Sequence, residues 1–70
     1  MKLENSMFEI RQEMFRHGGS FVRQMAMMLG HADIENQQRA VDAWPEVFER
    51  YDALATLAKQ QNPQLKEIDA

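Results

Sequence analysis

The chain contains no cysteine, and this absence excludes disulfide bonds and thiolate metal ligands together. Only two histidines remain as side chains that bind metal ions readily at neutral pH. A domain of 70 residues hides only about 60 % of the surface that its unfolded chain exposes, so small domains are usually reinforced by disulfides, a metal or a partner subunit. Because the first two are poorly supplied here, we expect self-association into a homodimer or a higher oligomer.

A strong charge of either sign is also missing. Eight basic and eleven acidic residues are mixed along the chain and give a formal net charge of −3. This balance does not favour a nucleic-acid binder that is steered by its overall field. No apolar run approaches the ~20 residues of a membrane span, and the first residues lack the pattern of a secretory signal. We therefore expect a cytoplasmic protein without membrane association.

Glycine and proline are scarce, with three and two residues, and they divide the chain into helical segments. The predicted helices cover about residues 7–16, 21–29, 34–43 and 45–61. Residues 62–70 are predicted either to add one helical turn or to fray. There is no alternating β pattern, so the sequence predicts one all-α domain: a small bundle of three to four short helices, completed by self-association.

Capping residues support these boundaries. Ser6 and Glu9 have the spacing of a capping box, in which each side chain bonds the backbone amide of the other residue. Ser20 and Asp33 are expected to cap the second and third helices, and Pro45 suits the first position of the fourth. Gly18 is expected to end the first helix in the left-handed conformation.

The apolar periodicity predicts which sides of the helices are buried. Leu3, Met7, Ile10 and Met14 are spaced as one face of a helix, and Phe8 and Phe15 are expected to widen that face. The second segment is apolar on nearly all sides. It is therefore predicted to be the central helix, or to be shared with another subunit.

One short string resembles a catalytic motif. Residues 28–34 read MLGHADI, which is similar to the Leu-Gly-His helix junction of tyrosine recombinases. In that family a tyrosine nine residues after the histidine is the nucleophile, and the corresponding position here is Ala40. Because Ala40 has no hydroxyl group, the covalent chemistry cannot occur. We therefore reject recombinase activity.

A helix-turn-helix reading fits poorly. Ala26 and Gly30 have the spacing of the small residue and the turn glycine in that motif. The positions that should then be buried are His31, Asn36 and Arg39, which are polar. Specific DNA binding is therefore not favoured.

Other chemistry-bearing residues do not form a recognisable site. His17, His31, Asp33 and Glu35 are too loosely spaced to predict a metal centre. Ser20, His31 and Asp33 supply the residue types of a catalytic triad, but no nucleophile elbow accompanies them. We predict no catalytic residue, no metal and no cofactor.

The richest apolar features are a methionine cluster and an aromatic cluster. Met25 and Met28 share a helix face with Phe21, whereas Met27 points away and is a candidate contact with a partner. Within the aromatic cluster, Trp44 and Phe48 are expected in the core, and Tyr51 is expected at an interface.

Three stretches together resemble small phage- and prophage-encoded proteins of unassigned function. They are Gly-Gly-Ser-Phe-Val at residues 18–22, Ala-Asp-x-x-Asn at 32–36 and Trp-Pro-Glu-x-Phe-x-x-Tyr at 44–51. The resemblance covers about half of the chain and carries no catalytic or binding residues. It implies a short accessory protein that binds a host or phage protein.

The most favoured function is a non-catalytic protein-interaction module that occludes a site on a partner protein. Its predicted interface residues are Arg23, Met27, Arg50 and Tyr51. One alternative is a DNA- or RNA-associated regulator that uses the basic residues Arg11, Arg16, His17 and Arg23. A second is a small-ligand binder with a pocket between subunits around Met25 and Met28.

Overall fold

The computed structural model describes residues 3–61 as a bundle of four α-helices. They are α1 (Met7–His17), α2 (Ser20–Gly30), α3 (Ile34–Ala43) and α4 (Pro45–Gln61). No strand occurs in this part of the chain, which confirms the all-α class. The extra turn or frayed end predicted for residues 62–70 lies outside the described residues.

Two of the predicted caps are formed. The Ser6 hydroxyl accepts a hydrogen bond from the Glu9 amide at 3.2 Å, and the Glu9 carboxylate accepts one from the Ser6 amide at 2.9 Å. The Asp33 carboxylate accepts from the Asn36 amide at 2.8 Å. These bonds satisfy amide groups that have no partner inside the helix, and they fix where α1 and α3 begin.

The prediction that Ser20 caps α2 was wrong, whereas Gly18 ends α1 as predicted but not in the left-handed conformation. Gly19 is the N-cap of α2, and Ser20 is already its first helical residue. Gly18 is extended, with φ −79°, rather than left-handed. The reason for a glycine there is space, since a Cβ atom at Gly18 would overlap the Met14 carbonyl oxygen and the Val22 side chain.

α2 is not the central helix, which was one of the two possibilities predicted for it; the other, that α2 is shared with another subunit, stays a prediction. α1 packs against both α2 and α4, and α3 adds a thinner layer against α4. The buried apolar side chains of the core come from all four helices: Ile10, Met14, Met25, Ala26, Leu29, Val41, Phe48 and Tyr51. α2 buries only the side that carries Met25, Ala26 and Leu29.

The apolar stripe of α1 is narrower than expected. Leu3 and Met7 pack against the core, and Ile10 and Met14 lie inside it, as the periodicity predicted. Phe8 and Phe15 do not widen this stripe, because both are on the exposed side of α1. Their position leaves two aromatic rings at the surface.

The segment before α1 is held against α4 by a buried carboxylate. Asp52 accepts hydrogen bonds from the backbone amides of Glu4 at 3.1 Å and Asn5 at 2.9 Å. The Asn5 side-chain amide donates to the Asp52 carbonyl oxygen at 2.9 Å and to the Thr56 hydroxyl at 2.9 Å. A buried carboxylate needs such donors, so the segment and α4 fix each other.

Candidate interaction surface

Eight large apolar side chains are exposed in the described part of the chain. They are Phe8, Phe15, Phe21, Met27, Met28, Ile34, Trp44 and Leu57. Isolated exposed apolar side chains are ordinary, whereas contiguous groups of them mark interaction sites. Two such groups can be defined from the helix geometry and the contacts.

The first group is the outward side of α2, which we call the α2 face: Phe21, Gln24, Met27 and Met28, with Trp44 beside Phe21. Phe21, Met27 and Met28 are 58 %, 50 % and 55 % exposed. The rings of Phe21 and Trp44 meet edge to face, with their centroids 5.5 Å apart. None of these five side chains is charged. A solvent-facing helix side normally carries charge, so this face has the composition of a contact surface.

The second group lies along the junction of α1 and α2, and we call it the arginine edge: Phe8, Arg11, Phe15 and Arg23. The Arg11 Nε group donates to the Ala26 carbonyl oxygen on α2 at 2.7 Å, and its guanidinium lies 5.8 Å from the centre of the Phe15 ring. In the other direction, the Arg23 Nε group of α2 donates to the Phe15 carbonyl oxygen on α1 at 3.1 Å. The two arginines therefore join the helices reciprocally.

The structure brings only two of the four predicted interface residues together. Met27 lies on the α2 face and Arg23 on the neighbouring arginine edge, four residues apart on one side of α2. Arg50 is exposed on α4 and belongs to neither group. Tyr51 is a correction, since it is only 6 % exposed and forms part of the core.

The sequence predicted Trp44 in the core and Tyr51 at an interface, and the structure shows the reverse burial. Tyr51 follows Phe48 by three residues, so both rings lie on the side of α4 that faces the bundle. Trp44 lies between α3 and α4 as the C-cap residue of α3, and it remains partly exposed. A pattern of residue types cannot separate these cases, because the direction of a side chain in a helix connection does not follow the helical period.

Several of the other candidate residues have structural roles. The Glu13 carboxylate is buried and lies 3.4 Å from both Arg16 and His17. Asp33 caps α3, and Met25 is buried whereas Met28 is at the surface. Among residues 3–61 there is no cluster of three or more side chains that could hold a metal ion.

Membrane insertion finds no support in the described helices, since none of them is both long and apolar enough to span a bilayer. No protein-family model, curated protein or solved structure matches the chain.

Proposed function

We propose that the protein is a non-catalytic interaction module that self-associates through the α2 face and, in that form, covers a site on a partner protein. The observation that carries the proposal is the uncharged, apolar outward side of α2, with Phe21, Met27 and Met28 at its centre. An inhibitor-like role as a short phage accessory protein is the biological setting that we favour.

The absence of charge on the α2 face favours a second copy of the chain as its occupant. In a symmetric dimer the same patch meets itself, so every charge on it would face a like charge across or near the two-fold axis. The five side chains of the α2 face carry no charge, and the exposed Arg23 lies at its border, one turn from Met27. In an antiparallel pairing of two α2 helices that cross near Gln24, Phe21 of one copy would lie near Met28 of the other. Phe21 and Met28 lie on opposite sides of Gln24 along the helix, at nearly equal distances from it.

The size of the α2 face supports a weak dimer rather than an obligate one. Phe21, Met27, Met28 and Trp44 together expose roughly 400 Å² at about 200 Å² for each large side chain. Stable complexes bury about 800 Å² on each partner. Self-association is therefore expected to depend on concentration in the micromolar range.

The test is sedimentation equilibrium on the wild type and on two matched variants. Met28→Glu places a charge on the α2 face, and Leu57→Glu places the same charge on the exposed side of α4. We expect the wild type and Leu57→Glu to dimerise and Met28→Glu to remain monomeric. A monomeric wild type at hundreds of micromolar, or equal weakening by both substitutions, would contradict the proposal.

The two alternative functions have less support. Of the basic residues proposed for nucleic-acid binding, Arg16 and His17 lie beside Glu13, and Arg11 and Arg23 bond helix carbonyls. The ligand pocket around Met25 and Met28 has less support because Met25 is buried in the core and Met28 is exposed at the surface. Retention on DNA that weakens steeply with salt would revive the first alternative.

A further inference from the structure

From the arginine edge we infer that the chain binds a partner protein by docking an acidic amphipathic helix against Phe8, Arg11, Phe15 and Arg23. This inference rests on the proposed role as an interaction module, but it uses a surface different from the self-association face. It specifies the chemistry of the partner: carboxylates on one face of a helix, flanked by large apolar side chains.

The charge of the edge selects an acidic partner. Arg11 and Arg23 are its only ionisable side chains, and α2 has no acidic residue. The acidic residues of α1 are turned away from it, since Glu9 pairs with Lys59 of α4 at 2.8 Å and Glu13 is buried beside Arg16 and His17. The edge is therefore locally cationic on a chain whose net charge is −3.

The two guanidinium groups are held in place before any partner arrives. The Nε–H group of each arginine donates to a carbonyl oxygen of the opposite helix. The guanidinium of Arg11 occupies the space that a Cβ atom at residue 30 would fill, and Gly30 has no such atom. Their Nη groups have no hydrogen-bond acceptor among residues 3–61. Such groups bind carboxylates in a bidentate manner, and fixing them in advance lowers the entropic cost of binding.

The two cations of the arginine edge suit a partner that is itself a helix. The Arg11 guanidinium lies at Ala26 and Gly30, and the Arg23 Nε group lies at Phe15, so the two cations stand at different levels of the α1–α2 junction. Carboxylates on successive turns of one face of a partner helix also stand at different levels. Phe8, which is 63 % exposed, and Phe15 then supply the apolar contact beside the two charges.

A protein helix fits this surface better than a nucleic acid does. Nucleic-acid binding draws much of its affinity from the neutralisation of phosphates by many Lys and Arg side chains, and the edge offers two arginines. Arg16, the next nearest cation, is paired with Glu13. The exposed phenylalanines favour leucine-like side chains in combination with carboxylates.

The test is an NMR titration of the full chain with a synthetic helical peptide of about four turns. The peptide carries two glutamates at i and i+4 with leucines beside them, and a second peptide has lysine in place of each glutamate. Arg23→Glu and Phe8→Ser probe the edge, and Arg50→Glu is the matched control because it changes the net charge equally at an exposed arginine of α4.

We expect amide shifts confined to α1 and α2, with affinity reduced about tenfold or more by Arg23→Glu and by the lysine peptide. Phe8→Ser should also weaken binding, and Arg50→Glu should not. Equal weakening by Arg23→Glu and Arg50→Glu, equal binding of the lysine peptide, or no shift at millimolar peptide would overturn the inference.

Two further outcomes would assign the edge to another occupant and so overturn the inference as well. Tighter binding of a single-stranded oligonucleotide at the same amides would indicate nucleic acid. A change in the sedimentation of the protein alone on Arg23→Glu would indicate a second copy. Self-association is tested by sedimentation of the wild type and Met28→Glu, whereas the arginine edge is tested by peptide binding. Either proposal can therefore fail while the other holds.

Discussion

Asn5 and Asp52 are 47 positions apart in the chain and are joined by three hydrogen bonds. The Asn5 amide nitrogen and its side-chain Nδ2 both donate to the Asp52 carboxylate, at 2.9 Å and 2.8 Å, and Nδ2 also donates to the Asp52 carbonyl oxygen at 2.9 Å. This contact fixes the start of α1 on the middle of α4. It gives a thinly packed bundle a specific long-range connection.

Replacement of Asp52 by alanine should therefore destabilise the fold. The change leaves the amides of Glu4 and Asn5 without their acceptor in a partly buried place, which costs about 1–3 kcal/mol. Asp42→Ala is the matched control, since Asp42 is exposed and bonds only Gln38, and it should cost under about 0.5 kcal/mol. Urea denaturation followed by circular dichroism measures both. Equal midpoints for the two variants would show that the contact does not stabilise the protein.

The two adjacent glycines should respond differently to alanine. At Gly18 a Cβ atom would overlap backbone and the Val22 side chain, so the α1–α2 connection must shift, at a cost of about 1–3 kcal/mol. At Gly19 a Cβ atom meets nothing within 4 Å, and the backbone has a negative φ, so Gly19→Ala should stay within about 0.5 kcal/mol of the wild type. Thermal melting of both variants provides the comparison. A Gly18→Ala protein as stable as Gly19→Ala would contradict the tight packing at residue 18.

These residues also indicate how far sequence reasoning reaches. The capping box of Ser6 and Glu9 and the cap at Asp33 were predictable because they depend on partners three residues apart. The Asn5–Asp52 contact was not predictable, since nothing local distinguishes Asp52 from an exposed acid on α4. The α2 face was only partly predictable: the periodicity separated Met27 from Met25, but the exposure of Phe21 and Met28 depends on how little of α2 is covered by α1 and α3.

The stability at acid pH should depend on Glu9. A hydrogen bond from Lys59, with a second from the Ser6 backbone amide, holds the pKa of Glu9 below its ordinary value of 4.5. A pKa that is lower in the folded than in the unfolded state stabilises the fold above the unfolded value. This contribution is lost as the pH falls from about 4.5 through the folded value.

Lys59→Met should move the pKa of Glu9 back toward its ordinary value and flatten this acid-dependent loss. Carbon-detected NMR titration of the Glu9 carboxyl group, with melting curves above and below pH 4.5, measures both effects. Arg39→Met is the control, because it breaks the exposed Glu35–Arg39 pair and leaves Glu9 untouched. If the pKa of Glu9 were the same in Lys59→Met as in the wild type, Lys59 would not be the cause of its lowered pKa.

Ile10 and Ile34 offer a matched pair for the position of the core. Ile10 is fully buried in the core, whereas Ile34 begins α3 and is 84 % exposed. Removing one methylene group by Ile10→Val should cost about 0.5–1.5 kcal/mol, because the lost contacts leave a small cavity. Ile34→Val removes the same atoms from a site in water and should change the free energy of unfolding by less than about 0.3 kcal/mol. Urea denaturation at low protein concentration, where self-association is negligible, isolates the effect within one chain. If Ile34→Val proved as costly as Ile10→Val, the start of α3 would have to be packed in the folded protein, which would contradict its exposure.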